Sequence, residues 1–141
     1  MLEFVNVKQN IFDTDILPLL APSVFEPTPE KLRSRAEKYI KRPNTHIYAC
    51  REGGKYIGIV VFEVVGTNAT VLDIAVDENC RKQGIGSALL SFVLKTFNIS
   101  ELTAETDDDA VGFYKKFGFT VTEIQTVYDT KRYLCTFRRN L

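Results

Sequence analysis

The chain has 141 residues, 45% of them apolar and 26% charged, which is typical of one soluble globular domain covering residues 1–141. Its 18 basic and 18 acidic side chains cancel, which argues against a general nucleic-acid binder or a protein that coats anionic membranes. The first residues resemble no signal peptide and no apolar run could span a bilayer, so we expect a cytoplasmic protein.

The three cysteines, Cys50, Cys80 and Cys135, are odd in number and widely spaced. This pattern fits neither a disulfide framework nor a zinc site, and it favours reduced thiols. His46 is the one histidine, which leaves too few ligands for a conventional zinc centre. We therefore expect no metal.

The first half of the chain predicts a strand at 4–7, one or two short helices within 13–25, and a basic helix at 29–41 with Pro29 in its first turn. Three strands rich in β-branched residues follow at 46–51, 55–65 and 69–76. Short turns separate them, so we expect three consecutive antiparallel strands.

The apolar period then changes to that of a helix over 83–97. A short strand is predicted at 101–105 and a helix at 107–117, with Asp107 as its N-cap and Gly118 as its end. Strands at 119–128 and 132–138 flank a turn at 129–131. This order of elements predicts a mixed α/β (α+β) sheet with helices on both faces.

Between the strand at 69–76 and the next helix lies a loop with a glycine pair, Gly84 and Gly86. Glycines let the backbone approach a bulky anion, and the free N–H groups and dipole of the following helix attract one. Arg81 and Lys82 add positive charge, and Ser87 adds a hydroxyl donor. The loop therefore suits a pyrophosphate.

The loop alone leaves several interpretations open. A dinucleotide fingerprint needs a third glycine at position 89, which is Leu89, although Glu105 lies where a ribose-binding acid is expected. A nucleotide P-loop needs a lysine directly after Gly86, and none is present. The glycines could also simply shape the start of a helix.

Taken together, two segments resemble the GNAT superfamily of acyl-CoA-dependent N-acyltransferases. The family's Arg/Gln-x-x-Gly-x-Gly/Ala motif is matched by Arg81, Gly84 and Gly86, after a strand that ends in Ile74-Ala75-Val76. About thirty residues later, the segment from Ala110 to Phe119 resembles the family's Ala-x-x-x-Tyr-x-x-x-Gly-Phe motif. The resemblance covers residues 46 to 121 and implies a central, mostly antiparallel sheet.

The resemblance implies that acetyl-CoA is the co-substrate. Backbone groups of Ile74 and Val76 would pair with the pantetheine arm, and the amides of residues 82–87 would hold the pyrophosphate. Asp107 stands where the family often has asparagine, so it can accept a hydrogen bond from the arm but cannot donate one. The implied coenzyme-binding set is Ile74, Ala75, Val76, Arg81, Lys82, Gln83, Gly84, Ile85, Gly86, Ser87, Asp107, Phe113 and Lys116.

The family's reaction is direct attack of an amine on the thioester. A lysine-like amine has a pKa of about 10.4, so the site must help to remove a proton at neutral pH. Tyr114 matches the family tyrosine that can donate to the leaving sulfur, although its ring could also serve only as core packing. Glu105 is our first choice of general base, ahead of Asp73 and Glu63, each acting through water.

Other charged segments have simpler interpretations. The acids at 107–109 are typical of a helix start, and the basic residues of the helix at 29–41 are typical of a solvated face. The acceptor would be a small-molecule or protein amine, and the C-terminal strands could pair in a homodimer. A non-catalytic acyl-CoA-binding module and a nucleotide-binding α/β module are the alternatives.

Overall fold

The computed structural model describes residues 1–127 and 130–140. In these ranges the strands are β1 Glu3–Asn6, β2 Thr45–Glu52, β3 Lys55–Val65, β4 Asn68–Val76, β5 Glu101–Thr106, β6 Thr120–Ile124 and β7 Arg132–Arg138. The α-helices are α1 Pro29–Lys41, α2 Ile85–Thr96 and α3 Val111–Phe117, and short 3-10 helices occupy Lys8–Asn10, Leu17–Ser23 and Glu78–Cys80.

All seven strands form one sheet in the order β1-β2-β3-β4-β5-β7-β6. Only the β4–β5 pair is parallel, and the other neighbours are antiparallel. A parallel pair requires a crossover connection, and α2 supplies it between β4 and β5. The predicted mixed, mostly antiparallel sheet is confirmed.

The two faces of the sheet carry separate apolar cores because side chains alternate along each strand. On β3, Ile59 and Val61 pack in a core with the apolar side of α1 and the 3-10 helix Leu17–Ser23. Val60 and Phe62 point the other way, into the core formed with α2. Helices therefore cover both faces, as predicted.

A β-bulge and a gap interrupt the middle of the sheet. On β4, Leu72 is an extra residue, because Val61 of β3 faces Asp73 while Phe62 faces Val71. The bulge shifts the alternation, so Val71 packs on the α2 face whereas Asp73 contacts α1. Strand β4 pairs with β5 only over residues 68–71, so its edge over residues 72–76 borders an open wedge.

The helix predicted at 107–117 is present, but its predicted start at Asp107 is wrong. It begins at Val111, with Ala110 at the N-cap. The Asp107 carboxylate instead accepts hydrogen bonds from the amides of Asp109 and Ala110, both at 3.1 Å, and closes a turn before the helix. Such turns are the usual competitor of a helical first turn at aspartate. Gly118 ends the helix at φ 123°, as predicted.

Smaller differences occur at other element ends. The helix predicted from residue 83 begins at Ile85, because Gly84 has a left-handed φ of 78°. The strand predicted at 119–128 is shorter, Thr120–Ile124. The predicted turn at 129–131 includes Asp129, which lies outside the described residues, as does Tyr128.

Candidate active site

The connection from β4 to α2 forms a cradle of backbone donors. Lys82 and Gly84 both have left-handed φ angles, 64° and 78°, which turn the chain sharply into α2. The first helical amide with an acceptor is that of Ala88, which donates to the Gly84 carbonyl at 3.0 Å. The amides of residues 85–87 have no acceptor in the part of the chain that the structure describes, so they can bind an anion at the positive end of the helix dipole.

This cradle opens into a cavity of about 850 Å³ that runs along the free edge of β4 to the start of α3. The cavity brings together most of the coenzyme-binding residues predicted from sequence, and also Tyr114. Its lining consists of Pro22, Ile74, Ala75, Val76, Cys80, Arg81, Lys82, Gly84, Ile85, Gly86, Ser87, Asp109, Ala110, Phe113, Tyr114 and Lys116.

Three predicted site residues do not line this cavity: Gln83, Asp107 and Glu105. Glu105 is exposed and alternates with Ala104 and Thr106, which are buried. Its side chain therefore leaves β5 on the face opposite that of Ala104, which packs in the α2 core.

The cavity lining includes four residues that the sequence motifs did not predict: Pro22, Cys80, Asp109 and Ala110. Cys80 and Asp109 are next to motif residues, and Ala110 belongs to the second motif itself, so the position of these three residues in the sequence was an available signal. Pro22 comes from a segment far away in sequence. The 3-10 helix Leu17–Ser23 carries it onto β4, a contact that no sequence pattern predicts.

Two glycine-bearing segments meet at this cavity. A Cβ atom at Gly86 would lie 2.9 and 3.0 Å from two ring atoms of Phe113, which is shorter than side-chain contacts allow. A side chain at position 86 would therefore force the Phe113 ring to shift, because α3 approaches the N-terminus of α2 closely here. The Phe113 ring in turn forms part of the cavity wall.

Tyr114 is 4% exposed, and its ring packs edge-on against Phe113 and Phe119, with centroids 5.1 Å apart in both cases. Burial above all, and then the neighbouring Cys135 and Asp73, raise the pKa of the Tyr114 phenol well above its usual value. Tyr114 therefore stays protonated at neutral pH. Among the described residues, its hydroxyl has no hydrogen-bond partner, so it is available to a ligand in the cavity.

The three candidate bases have different surroundings. Asp73 is buried and accepts a hydrogen bond from the Tyr39 hydroxyl at 2.7 Å. Glu63 forms a partly exposed ion pair with Arg42, with N and O atoms 3.1 Å apart. Glu105 makes no ion pair with the part of the chain that the structure describes.

The charge of the cavity favours a polyanion. Arg81, Lys82 and Lys116 line it together with the N-terminus of α2, and Asp109 is the one acid among its lining residues. The acidic residues 107–109, which the sequence placed at the start of a helix, instead form a turn. The described residues contain no group of three or more His, Cys, Asp or Glu side chains that could hold a metal ion.

Comparison with known proteins identifies the protein family. Residues 22–133 match the model of a family described as the acetyltransferase (GNAT) domain. The match covers most of the 141 residues, and the sheet order and helix placement agree with the resemblance seen in the sequence. The chain belongs to the GNAT acetyltransferases, a family of acyl-CoA-dependent transferases.

Several particular proteins are similar to this chain. A curated relative, UPF0157 protein YqkA of Bacillus subtilis (strain 168), is 28% identical over 133 residues, which is 87% of this chain. The chain spans only 39% of the length of that relative.

Two solved structures share the fold over almost the whole chain. The ribosomal-protein-S18-alanine N-acetyltransferase from Escherichia coli has a TM-score of 0.72 at 19% identity, covering 98% of this chain and 94% of that one. The Campylobacter jejuni N-acetyltransferase PseH, in complex with acetyl coenzyme A, has a TM-score of 0.72 at 11% identity, covering 99% and 100%.

The described residues contain no helix with the length and apolarity needed to cross a membrane.

Proposed function

We propose that this protein is an N-acetyltransferase that moves the acetyl group of acetyl-CoA to a primary amine by direct attack within a ternary complex. One observation carries the proposal: a single cavity joins the donor cradle at the start of α2 to the Tyr114 hydroxyl along the unpaired edge of β4. Such a cavity suits a long ligand with a polyanionic end and a reactive end.

The pyrophosphate lies in the cradle, where the free amides of α2 and the side chains of Arg81 and Lys82 complement its charge. Gln83 contributes its backbone amide. The pantetheine arm enters the wedge between β4 and β5 and pairs with Ile74 and Val76, as an added strand would. This placement puts the thioester near Tyr114, at the other end of the cavity.

In the reaction, the neutral amine nitrogen attacks the thioester carbonyl carbon, and the carbon–sulfur bond then breaks. The Tyr114 hydroxyl gives its proton to the leaving thiolate and is reprotonated from solvent. The nitrogen loses its extra proton through water to a carboxylate, for which Glu105 is our first choice. The products are the N-acetylated amine and free coenzyme A.

The acceptor approaches from the α1 face of the sheet, because the coenzyme fills the wedge from the α2 face. Both small amines and protein amines are consistent with this geometry. The similar protein from Escherichia coli is named for an alanine of ribosomal protein S18, so N-terminal peptides belong in any acceptor panel.

A thiol-release assay with acetyl-CoA tests the proposal against a panel of polyamines, amino acids, aminoglycosides, and peptides with free N-termini or lysines. We expect amine-dependent release of free coenzyme A by at least one class, with mass spectrometry showing the acetylated product. The control omits the amine. Binding of coenzyme A without release for any acceptor would instead support a non-catalytic acyl-CoA-binding module.

A further inference from the structure

A second concave site lies along α1, outside the cavity proposed for coenzyme A. Its volume is about 520 Å³, which is within the range of small-molecule sites. One flank of α1 and the segment that leads into this helix form its walls, and we call it the α1 pocket. Its lining residues, none of which lines the proposed coenzyme cavity, are Val24, Phe25, Glu30, Lys31, Ser34, Arg35 and Lys38.

The α1 pocket is positively charged. Three of its lining side chains are cationic, and Glu30 is the one acid among them. Lys38 forms no ion pair within residues 1–127 and 130–140. Lys31 Nζ donates to the carbonyls of Phe25 and Glu26 at 3.0 and 2.9 Å, and these neutral acceptors leave its charge uncompensated. The pocket therefore attracts an anion.

Arg35 connects the α1 pocket with the strand beside the open wedge. Its Nη1 lies 3.3 Å from Oδ2 of Asp73 on β4 and 3.4 Å from the Ser23 carbonyl oxygen. The residue after Asp73 is Ile74, which lines the proposed coenzyme cavity, and β4 pairs with β5 only over residues 68–71. Even if Arg35 is counted as neutralised by Asp73, two lysines face one acid in the pocket.

The flank of α1 that carries these cations is the flank next to the wedge. Leu32 and Ala36 lie on the buried side of the helix and pack with side chains of β2 and β3. Lys31, Arg35 and Lys38 follow one another at four- and three-residue spacing, so they form one row along the helix. The contact of Arg35 with β4 shows that this row lies on the side of β4 and the wedge. An anion bound by the row is therefore close to the route by which we expect the acceptor to enter.

The coenzyme does not account for this second basic site. The cradle at the start of α2 already offers free amides, Arg81 and Lys82 to the pyrophosphate. The α1 pocket also contains apolar surface from Val24 and Phe25 and a hydroxyl from Ser34. Apolar walls with a few polar groups are typical of a site for a small organic ligand.

We propose that the α1 pocket binds an anionic group of the acceptor, so that the acceptor is a small amine that also carries a carboxylate or a phosphate. Lys31 and Lys38 bind the anionic group, Val24 and Phe25 contact the apolar part, and the amine nitrogen points into the wedge. Holding one end of the acceptor orients the other end for attack. The inference rests on the proposed acetyl transfer and names the class of its acceptor.

The first experiment compares acceptors that differ in the anionic group: L-phenylalanine with L-phenylalaninamide, and O-phosphoethanolamine with ethanolamine. For each pair, the ratio of kcat/KM for the anionic to the neutral amine is measured in each protein variant. Comparing this ratio between variants removes the intrinsic reactivity of the amines. We expect Lys38→Gln to lower the ratio roughly threefold and Lys38→Glu roughly tenfold for at least one pair, which identifies the anion as carboxylate or phosphate.

Lys41→Gln is the matched control, because Lys41 is an exposed lysine of the same helix that does not line the α1 pocket. It should keep the wild-type ratio. A wild-type ratio in Lys38→Gln for both pairs, or acetylation of neutral amines alone, would overturn the inference. The Kd for coenzyme A should be unchanged in Lys38→Gln, and weaker binding would assign the pocket to a coenzyme phosphate and overturn the inference as well.

The second experiment measures binding without turnover. The backbone amide resonances of residues 31–38 are followed by NMR during titration with the N-acetylated form of each of the four amines. We expect the anionic compound of the responding pair to shift these resonances and to bind Lys38→Gln roughly threefold more weakly, while its neutral counterpart causes no shift. If the wild-type protein acetylates no amine, the proposed function fails and this titration alone decides. Absence of shifts with both anionic compounds would then show that the α1 pocket binds no such group.

Discussion

The ring of Phe113 lies so close to Gly86 that a Cβ atom at position 86 would come within 2.9 Å of it. This contact joins the two sequence motifs, because Gly86 lies in the first turn of α2 and Phe113 belongs to α3. The cavity in which we propose that coenzyme A binds thus has a wall whose shape depends on the absence of a Cβ atom at Gly86.

We therefore expect Gly86→Ala to displace the Phe113 ring and to weaken coenzyme A binding roughly tenfold, since overpacking a tight contact typically costs 1–3 kcal/mol. Isothermal titration calorimetry measures the change. Gly112→Ala is the matched control, because a Cβ at Gly112 would have no described atom within 4 Å apart from its chain neighbours and its own helix backbone, and this variant should bind coenzyme A like wild type. Equal affinity of both variants would show that the ring contact does not shape the site.

Tyr114→Phe should lower kcat roughly a hundredfold, because loss of a general acid typically costs 10²–10⁴ in rate. The ring packing against Phe113 and Phe119 is retained, so the Kd for coenzyme A should stay largely unchanged. Steady-state kinetics and calorimetry check the two parts.

The control for this prediction is Tyr133→Phe. The Tyr133 hydroxyl donates to Asp108 at 2.5 Å outside the cavity, and its loss should leave kcat unchanged. Full activity of Tyr114→Phe would contradict the role of the Tyr114 proton.

The stability of the fold should fall on mild acidification because of His46. Its ring packs on Phe62 and Phe97, with centroids 5.4 and 4.7 Å away, and burial together with the nearby Lys8 charge lowers its pKa from 6.5. The unfolded chain therefore binds a proton more readily than the folded one. The free energy of unfolding should decrease as pH falls through about 6.5.

Urea unfolding at several pH values between about 7.5 and 5.5 measures this dependence. His46 is the single histidine of the chain, so His46→Gln should flatten the curve over this window. A variant that keeps the wild-type slope would assign the effect to other groups.

The C-terminal segment is anchored to α2 by one arginine. Arg139 Nε donates to the Ile99 carbonyl at 2.6 Å, and its Nη2 donates to the carbonyl of Leu94 in the last turns of α2. Arg139→Gln should lower the free energy of unfolding by about 2 kcal/mol, because partly buried carbonyls lose a charged donor.

Its neighbour Arg138 provides the comparison. Arg138 pairs with Glu101 at 2.7 Å but is 76% exposed, so Arg138→Gln should cost no more than about 1 kcal/mol. Urea unfolding of both variants tests the difference, and an equal loss would mean that the carbonyl contacts of Arg139 add no stability.

Local sequence patterns predicted most of the elements and much of the candidate site. The glycine loop is an example: Gly84 and Gly86, with the apolar period that follows, fix a sharp turn and a helix start whatever the rest of the chain does. Asp107 was misjudged for an equally local reason, because its side chain can close a turn as readily as it can cap a helix.

The bulge at Leu72 and the wedge beside it were decided only by tertiary structure. Both depend on how β3 and β5 pair with β4, and the residues of β4 alone are compatible with an unbroken strand. The hydrogen bond between Tyr39 and Asp73 depends on the same pairing, since the two residues are 34 apart in sequence and meet only because α1 packs on that face. Sequence by itself thus determined the glycine loop, whose geometry is local, while long-range packing determined that Asp73 is buried against α1.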